Sequence, residues 1–360
     1  MTQPLPHISE MAPYALAEIQ VPDGQTLISL SQNECMRPPS PKAIEAAASV
    51  LHKSELYPDP DWTELRNAIA AHHQIDASGI LCASGSLDLI GCIARVYAGP
   101  DRAVLAPAHA YPFFRSAAQL ANARFDTAVE VNAAVSVDTL LDAVRPDTGI
   151  VFVANPGNPT GTRIARSDLV RLRAGLGRDI LLLIDEAYGE FADHLNEPCF
   201  DLVQGGNTIV LRTFSKAYGM AGLRVGWGLF PEHVAAEMRK VLNPNNISSA
   251  SQAAATAAVI DQNYMRETCS ITADLRDQAT NELVRAGFSV FPSFTNFVLI
   301  DLGGSKAANA ADAALRAEGV FLRPQSGAGL PGTLRMTIGP QDAMRTAISG
   351  LVNWKKETAK

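Results

Sequence analysis

From about residue 50 to 245, short apolar runs alternate with segments of helical periodicity. Residues 80–84 read as a strand. Between Leu87 and Ala98 the apolar residues recur at three- and four-residue steps, the spacing of a helix with one buried face. Residues 103–106 form a short strand, and 150–154, 180–185 and 208–212 are continuous apolar runs bounded by turns. Runs without alternation fit strands buried on both faces. Their alternation with helices predicts a mostly parallel α/β sheet.

The second half of the chain has a different rhythm. Residues 249–260 are alanine-rich and helical, and 264–286 read as a long helix. A strand at 297–301, a helix at 306–318, a strand at 333–338 and a final helix complete a smaller α+β unit. Residues 1–50 hold little core and are expected to pack on that unit. The predicted division is therefore 51–245 as a large domain, and 1–50 with 246–360 as a small one. A cleft between two domains is a common setting for a small-molecule site.

Bulk properties narrow the function. With 360 residues, 47% of them hydrophobic, the chain can fill two cores. A net charge of -7 argues against a nucleic-acid partner, which needs a basic face. No apolar run approaches the ~18 residues of a membrane span. The opening Met-Thr-Gln-Pro-Leu-Pro-His lacks the charged and apolar regions of a signal peptide. Cys35, Cys82, Cys92, Cys199 and Cys269 show no metal-ligand spacing and read as reduced thiols, so a cytoplasmic location is expected and no metal. The pair His72-His73 falls on a polar stretch and is expected to be solvated.

The chemistry centres on Lys216, inside Thr213-Phe-Ser-Lys-Ala-Tyr-Gly-Met-Ala-Gly-Leu-Arg224. A lysine amine can form a Schiff base with an aldehyde cofactor. The flanking hydroxyls of Thr213 and Ser215, with Arg224 beyond, suit a phosphate-bearing aldehyde, which describes pyridoxal 5'-phosphate. Asp185 ends an apolar strand, where α/β sheets place ligands. It either caps the next turn or pairs with a pyridine nitrogen, with Tyr188 in reach of the ring hydroxyl. Asn155-Pro-Gly-Asn-Pro-Thr-Gly161 is a rigid loop that admits a cis X-Pro bond. Its Asn158 either serves the turn or donates to the cofactor's ring oxygen.

Ser84-Gly-Ser-Leu-Asp88 joins a strand to a helix, and N–H groups at such a start bind anions. Ser86 and the amide of Leu87 are the phosphate candidates. Tyr111 is either a core tyrosine or a ring that stacks on the cofactor. Arg335 lies within an apolar strand pattern. Together with Arg323 it calls for an anionic partner, a substrate or a structural carboxylate.

In this order the segments resemble the fold-type I pyridoxal-phosphate aminotransferases of class I/II, and among them the histidinol-phosphate aminotransferase-like proteins. The resemblance runs from Pro13-Tyr14 through Asn33-Glu34, Tyr57-Pro-Asp-Pro60, Gly85-Ser86, Tyr111, Asn155 to Gly161 and Asp185-Glu-Ala-Tyr188. It continues over Thr213 to Arg224 and Asn296-Phe297 to Arg323 and Leu334-Arg335. It implies a large domain with a mostly parallel seven-stranded sheet between helices, plus a smaller α+β domain.

It also implies Lys216 as Schiff-base lysine and proton carrier, Asp185 on the pyridinium, Asn158 and Tyr188 on the ring oxygen, and Tyr111 on the ring face. Ser86, Leu87, Thr213, Ser215 and Arg224 would bind the phosphate. Tyr57 would reach the cofactor of a second subunit, so a homodimer is implied. Tyr14, Arg323 and Arg335 match substrate-contacting positions.

The implied reaction moves an amino group from an amino acid or an amino-acid-derived amine, histidinol-phosphate-like, aromatic or anionic, to a keto acid such as 2-oxoglutarate, with ping-pong kinetics. Decarboxylation on the same scaffold, as in phosphothreonine decarboxylase-like proteins, is one alternative. A cofactor-binding regulator is another, disfavoured because Pro13-Tyr14 lies close to the first residue and leaves no room for a DNA-binding segment. One departure stands out. The family's Asn-Glu-Asn-Pro-Leu-Gly is Asn33-Glu-Cys-Met-Arg-Pro38 here. From it comes the expectation that histidinol phosphate is not the substrate. Arg37 either adds a charge at the substrate mouth or forms a surface salt bridge.

Overall fold

The structure, a computed structural model, describes residues 2–13 and 20–358. Seven strands form one sheet in the order Ile80–Ala83, Gly226–Leu229, Thr208–Thr213, Leu181–Asp185, Thr148–Ala154, Ala103–Pro107, Phe125–Ala128. Strand 226–229 is antiparallel to both neighbours, and every other pairing is parallel. The central strands 181–185 and 208–213 are buried along their whole length, polar Thr208 and Arg212 included. Helices Ser86–Tyr97, Pro112–Leu120 and Arg166–Gly175 supply Leu89, Ile93, Phe114 and Leu169 to the same core. Both faces are thus kept from water, as a parallel sheet requires.

A second, antiparallel sheet runs Arg323–Gln325, Leu330–Thr337, Phe297–Asp301, Ser289–Val290. Helices Gln262–Arg285, Ser305–Ala317 and Gln341–Thr358 close its core with Leu283, Leu315 and Leu351. The N-terminal segment joins it. Ile28–Ser29 pairs in parallel with Val320–Phe321, and Leu30 enters the second core. Helix Pro41–Val50 starts on the cap Ser40, with proline at its first position, and helix Ser249–Ile260 starts on Ser248. Their Ala43, Ala254, Ala255 and Ala258 belong to the first core, which reaches Met265. The first core thus takes in residues on both sides of 50/51 and 245/246, and Phe297 as well.

In the seven-stranded sheet two strands escape the apolar pattern for identifiable reasons. Phe125–Ala128 is an edge strand carrying Asp126 and Thr127. Gly226–Leu229 contains two glycines, which weaken a strand signal. At Gly226 an added Cβ would stand 2.2 Å from the backbone nitrogen of Ser86, so only glycine admits the helix start there. His73 is a correction. It is half-buried against Phe200 at 5.0 Å and Trp227 at 5.2 Å, and burial, helped by Arg212, pushes its pKa down to about 2.

Candidate active site

At the carboxyl ends of strands 148–154, 181–185 and 208–213 lies a cavity of about 300 Å³. Ser86, Leu87, Tyr111, Asn158, Asp185, Tyr188, Thr213, Ser215, Lys216, Arg224, Arg323 and Arg335 all line it. Segments far apart in sequence converge because parallel strands end on one edge of the sheet.

One end of the cavity is built to receive an anion. Helix 86–97 begins there, so the free N–H groups and positive end of the helix dipole face inward at Ser86 and Leu87. Thr213 donates from its hydroxyl to Ser215 Oγ at 3.1 Å, and Ser215 N–H donates to Thr213 Oγ1 at 3.2 Å. Arg224 Nη1 donates to Ser215 Oγ at 3.4 Å and to the Ala221 carbonyl at 2.9 Å. Its Nη2 reaches the Ser84 carbonyl at 3.3 Å. Gly85 has φ 92°, and a Cβ there would lie 2.5 Å from Arg224 Nη2. Gly85→Ala is expected to weaken phosphate-bearing ligands by roughly tenfold or more, through left-handed strain and displacement of Arg224. A cofactor titration of the purified variant checks this.

The opposite wall holds the titratable groups. Asp185 is buried and accepts from the Ala187 N–H at 3.1 Å. Burial, with Glu186 adding to it, pushes its carboxyl up to about 7 against the pull of Ala187 and Lys216. Lys216 is half-buried, and its Nζ donates to the Asn33 carbonyl at 3.0 Å. Burial first and Arg335 second push that amine down to about 8. At pH 8 about half of it is neutral, against roughly 0.3% of an ordinary lysine. The Tyr188 hydroxyl accepts from Asn33 Nδ2 at 2.7 Å and from Asn158 Nδ2 at 3.4 Å. Both X-Pro bonds of the loop, Asn155-Pro156 and Asn158-Pro159, are cis. Asn155 pins the loop by exchanging two hydrogen bonds with Ile164. Arg335 Nη1 donates to Asn158 Oδ1 at 2.6 Å, and Nη2 to the Ser31 carbonyl at 2.9 Å. Tyr111 stands at the start of helix 112–120, edge-on to Phe114 with centroids 5.9 Å apart.

The profile of the family described as "Aminotransferase class I and II" matches residues 25–351. The chain belongs to this family. It is 40% identical to the histidinol-phosphate aminotransferase of Paramagnetospirillum magneticum, over 97% of each chain. It is 36% identical to that of Rhodospirillum centenum, over 98% of each. Among solved structures it is similar to the histidinol-phosphate aminotransferase of Sinorhizobium meliloti in complex with pyridoxal-5'-phosphate. That match has TM-score 0.92 and 27% identity, and covers 99% of both chains. The protein is a fold-type I, pyridoxal-phosphate-dependent aminotransferase.

The aminotransferase's cavity fits that cofactor on its own chemistry. The anion cradle accepts a phosphate where a Cβ at Gly85 would crowd Arg224, and the primary amine for an aldehyde lines the same cavity. The buried Asp185 carboxyl, held near neutrality by burial, suits a partner with a basic ring nitrogen.

Three predicted residues stand apart. Tyr14 lies outside the described residues. Tyr57 is 87% exposed and does not line the cavity. Arg37 does not line it either. Its Nη1 pairs with Glu267 at 2.8 Å, and its guanidinium lies 4.2 Å from the Tyr264 ring centroid. Of the two readings of Arg37 the geometry takes the salt bridge. The replacement of the family's Asn-Pro-Leu-Gly by Cys35-Met-Arg-Pro38 stands, but Arg37 itself adds no charge to the cavity lining. Asn33 is the residue that sequence reasoning left without a role. It is buried with φ 55°, a conformation in which asparagine is enriched, and the Asn33-Glu34 pair was its only signal.

Proposed function

We propose that this aminotransferase takes the amino group from a phosphorylated amine of the histidinol-phosphate kind and passes it to 2-oxoglutarate. The observation that carries the reading is a pair of arginines. Arg323 and Arg335 stand directly opposite each other across two antiparallel strands, and both line the cavity. Two guanidinium groups in register on one cavity wall can hold an anion between them by charge-assisted hydrogen bonds. A phosphate on the donor and a carboxylate on the acceptor fit that pair in turn. The names of the relatives, histidinol-phosphate aminotransferases, agree with this donor.

Pyridoxal phosphate, when bound, supplies the electron sink for the pair left behind as the donor's α-hydrogen departs. The protein's residues do the rest. Lys216 would hold the cofactor's aldehyde end between turnovers, and its amine would take the donor's α-proton and return it. Asp185 holds a proton on the ring nitrogen. Asn158 and Tyr188 hold the ring oxygen, and Tyr111 covers the ring. Ser86, Leu87, Thr213, Ser215 and Arg224 hold the phosphate.

The reading includes a homodimer in the cytoplasm. Tyr57 is exposed, as are Ile44, Leu51 and Leu56 in the same stretch of chain, and a second copy covering them would bring Tyr57 to the partner's cavity. Among the described residues no helix is long and apolar enough to cross a membrane. Two domains divide the work, one around each core.

The test is a half-reaction screen. The holoprotein is mixed with histidinol phosphate, histidinol, aspartate or phenylalanine, and loss of the cofactor's yellow absorbance is followed. Histidinol phosphate should react at the lowest concentration, and Arg335→Ala should raise that concentration roughly 10- to 100-fold. Equal response to histidinol with and without its phosphate would remove the proposed donor.

A further inference from the structure

Residues 31–38 cross in front of Lys216 without belonging to the sheet that carries it. Lys216 Nζ donates to the carbonyls of Asn33 at 3.0 Å and Gln32 at 3.5 Å. The side-chain amide of Asn33 meets the Tyr188 hydroxyl at 2.7 Å. The strap therefore touches the reacting amine and a ring-oxygen candidate at once. Its first half is tied to the four-stranded sheet. Asn33 N–H donates to Thr337 Oγ1 at 3.0 Å, and Asn296 Nδ2 donates to the carbonyls of Asn33 and Glu34, each at 3.1 Å.

The second half is tied to helix Gln262–Arg285 instead. Arg37 Nη1 donates to Glu267 at 2.8 Å and to Thr268 Oγ1 at 3.3 Å, with its guanidinium stacked on Tyr264. The Tyr264 hydroxyl in turn donates to the Pro38 carbonyl at 3.0 Å. Beneath, Gly219 in the Lys216 turn packs so closely that a Cβ would lie 2.8 Å from the Arg37 carbonyl.

We infer that Arg37 is a positioning residue for the Lys216 amine: anchored on Glu267 and Tyr264, it holds the strap so that Asn33 faces both Nζ and the Tyr188 hydroxyl. The inference rests on the reading of Lys216 as proton carrier. The Arg37–Glu267 pair suits such a role better than a stabilising one. Glu267 is 61% exposed, and a pair that open to solvent is a weak contributor to folding. The groups facing Nζ are Arg335, Glu34, Arg224 and Asp185, with Cys35 and the Tyr188 ring alongside. Glu34 and Cys35 ride on the strap while Arg335, Arg224 and Asp185 do not, so a change at the amine on loosening would report the strap's own carbonyls and Glu34 withdrawing together with hydration of Nζ.

The test uses Arg37→Ala, Glu267→Gln and the exchange Arg37→Glu with Glu267→Arg in the full-length protein. For the single variants kcat should fall about tenfold with donor KM within about twofold, and the exchange should recover most of the loss. A readout without turnover accompanies it. The rate at which cofactor-free protein captures pyridoxal phosphate is followed against pH. Its midpoint, set by the neutral amine, should move away from the wild-type value in the single variants and return in the exchange. Raised KM for anionic donors at unchanged kcat would overturn the inference and return Arg37 to the substrate. Wild-type kcat and midpoint in both single variants would also overturn it, leaving a plain surface ion pair. If Arg37→Ala does not fold, Glu267→Gln alone carries the test. Failure of the underlying reading looks different: Lys216→Ala would then keep its turnover, whatever Arg37 does.

Discussion

Lys216→Ala is expected to bind pyridoxal phosphate while losing turnover by at least about 10³-fold. Positioned acid–base groups contribute roughly 10²–10⁴-fold, and this one side chain is read as both the covalent tether and the proton carrier. The phosphate cradle at Ser86, Thr213, Ser215 and Arg224 is untouched, so affinity should survive. Burial and Arg335 hold the wild-type amine near 8. No other amine or imidazole lines the cavity among the described residues, so nothing there replaces it at that pH. Equilibrium dialysis of the cofactor and single-turnover amino transfer measure the two halves of the claim. Turnover within tenfold of wild type would remove Lys216 from the reaction.

Asp185→Asn is expected to act in opposite directions on activity and on stability. Activity should fall roughly 10²- to 10³-fold, because a neutral amide cannot hold a proton on a ring nitrogen. The cofactor-free protein should become more stable. The folded-state pKa of Asp185 is raised from 3.8 to about 7, chiefly by burial. The native state therefore keeps its proton to a higher pH than the unfolded chain does. The resulting penalty is absent below about pH 4, grows as pH rises and is complete above about pH 7. A shift of that size corresponds to about 4 kcal/mol as an upper figure. Thermal melts of the two cofactor-free proteins should separate more at pH 8 than at pH 5, with the variant higher. With cofactor bound, a ring cation beside the carboxylate should reverse the order. Identical melts at pH 8 would show that burial does not strain this carboxyl.

Asp185 also shows how a strained group becomes legible. A lone aspartate at the end of Ile-Leu-Leu-Leu-Ile is ambiguous between a turn cap and a site. Order resolves it, because the helix start at Gly85-Ser86, the Asn155–Gly161 loop and the Lys216 segment each follow a strand of the same sheet. Strand ends on one edge meet whatever the loops do, so the cofactor end of the cavity could be read from local patterns. Which core a given helix enters could not be read this way. The alanines of helices 41–50 and 249–260 carry no mark of which core they will enter, and they enter the first.

By itself the sequence determined the alternating α/β architecture and a lysine segment suited to a phosphate-bearing aldehyde, since these follow from periodicity and local spacing; the full set of cavity residues was chosen among open alternatives only through the resemblance to the aminotransferases. Tertiary structure alone decided the rest. It turned Arg37 onto Glu267, brought Asn33 onto Lys216 and Tyr188, and packed His73 between Phe200 and Trp227. Each of those contacts joins residues more than a hundred positions apart, and the partner that settles a side chain's role there is chosen by packing rather than by its neighbours in sequence.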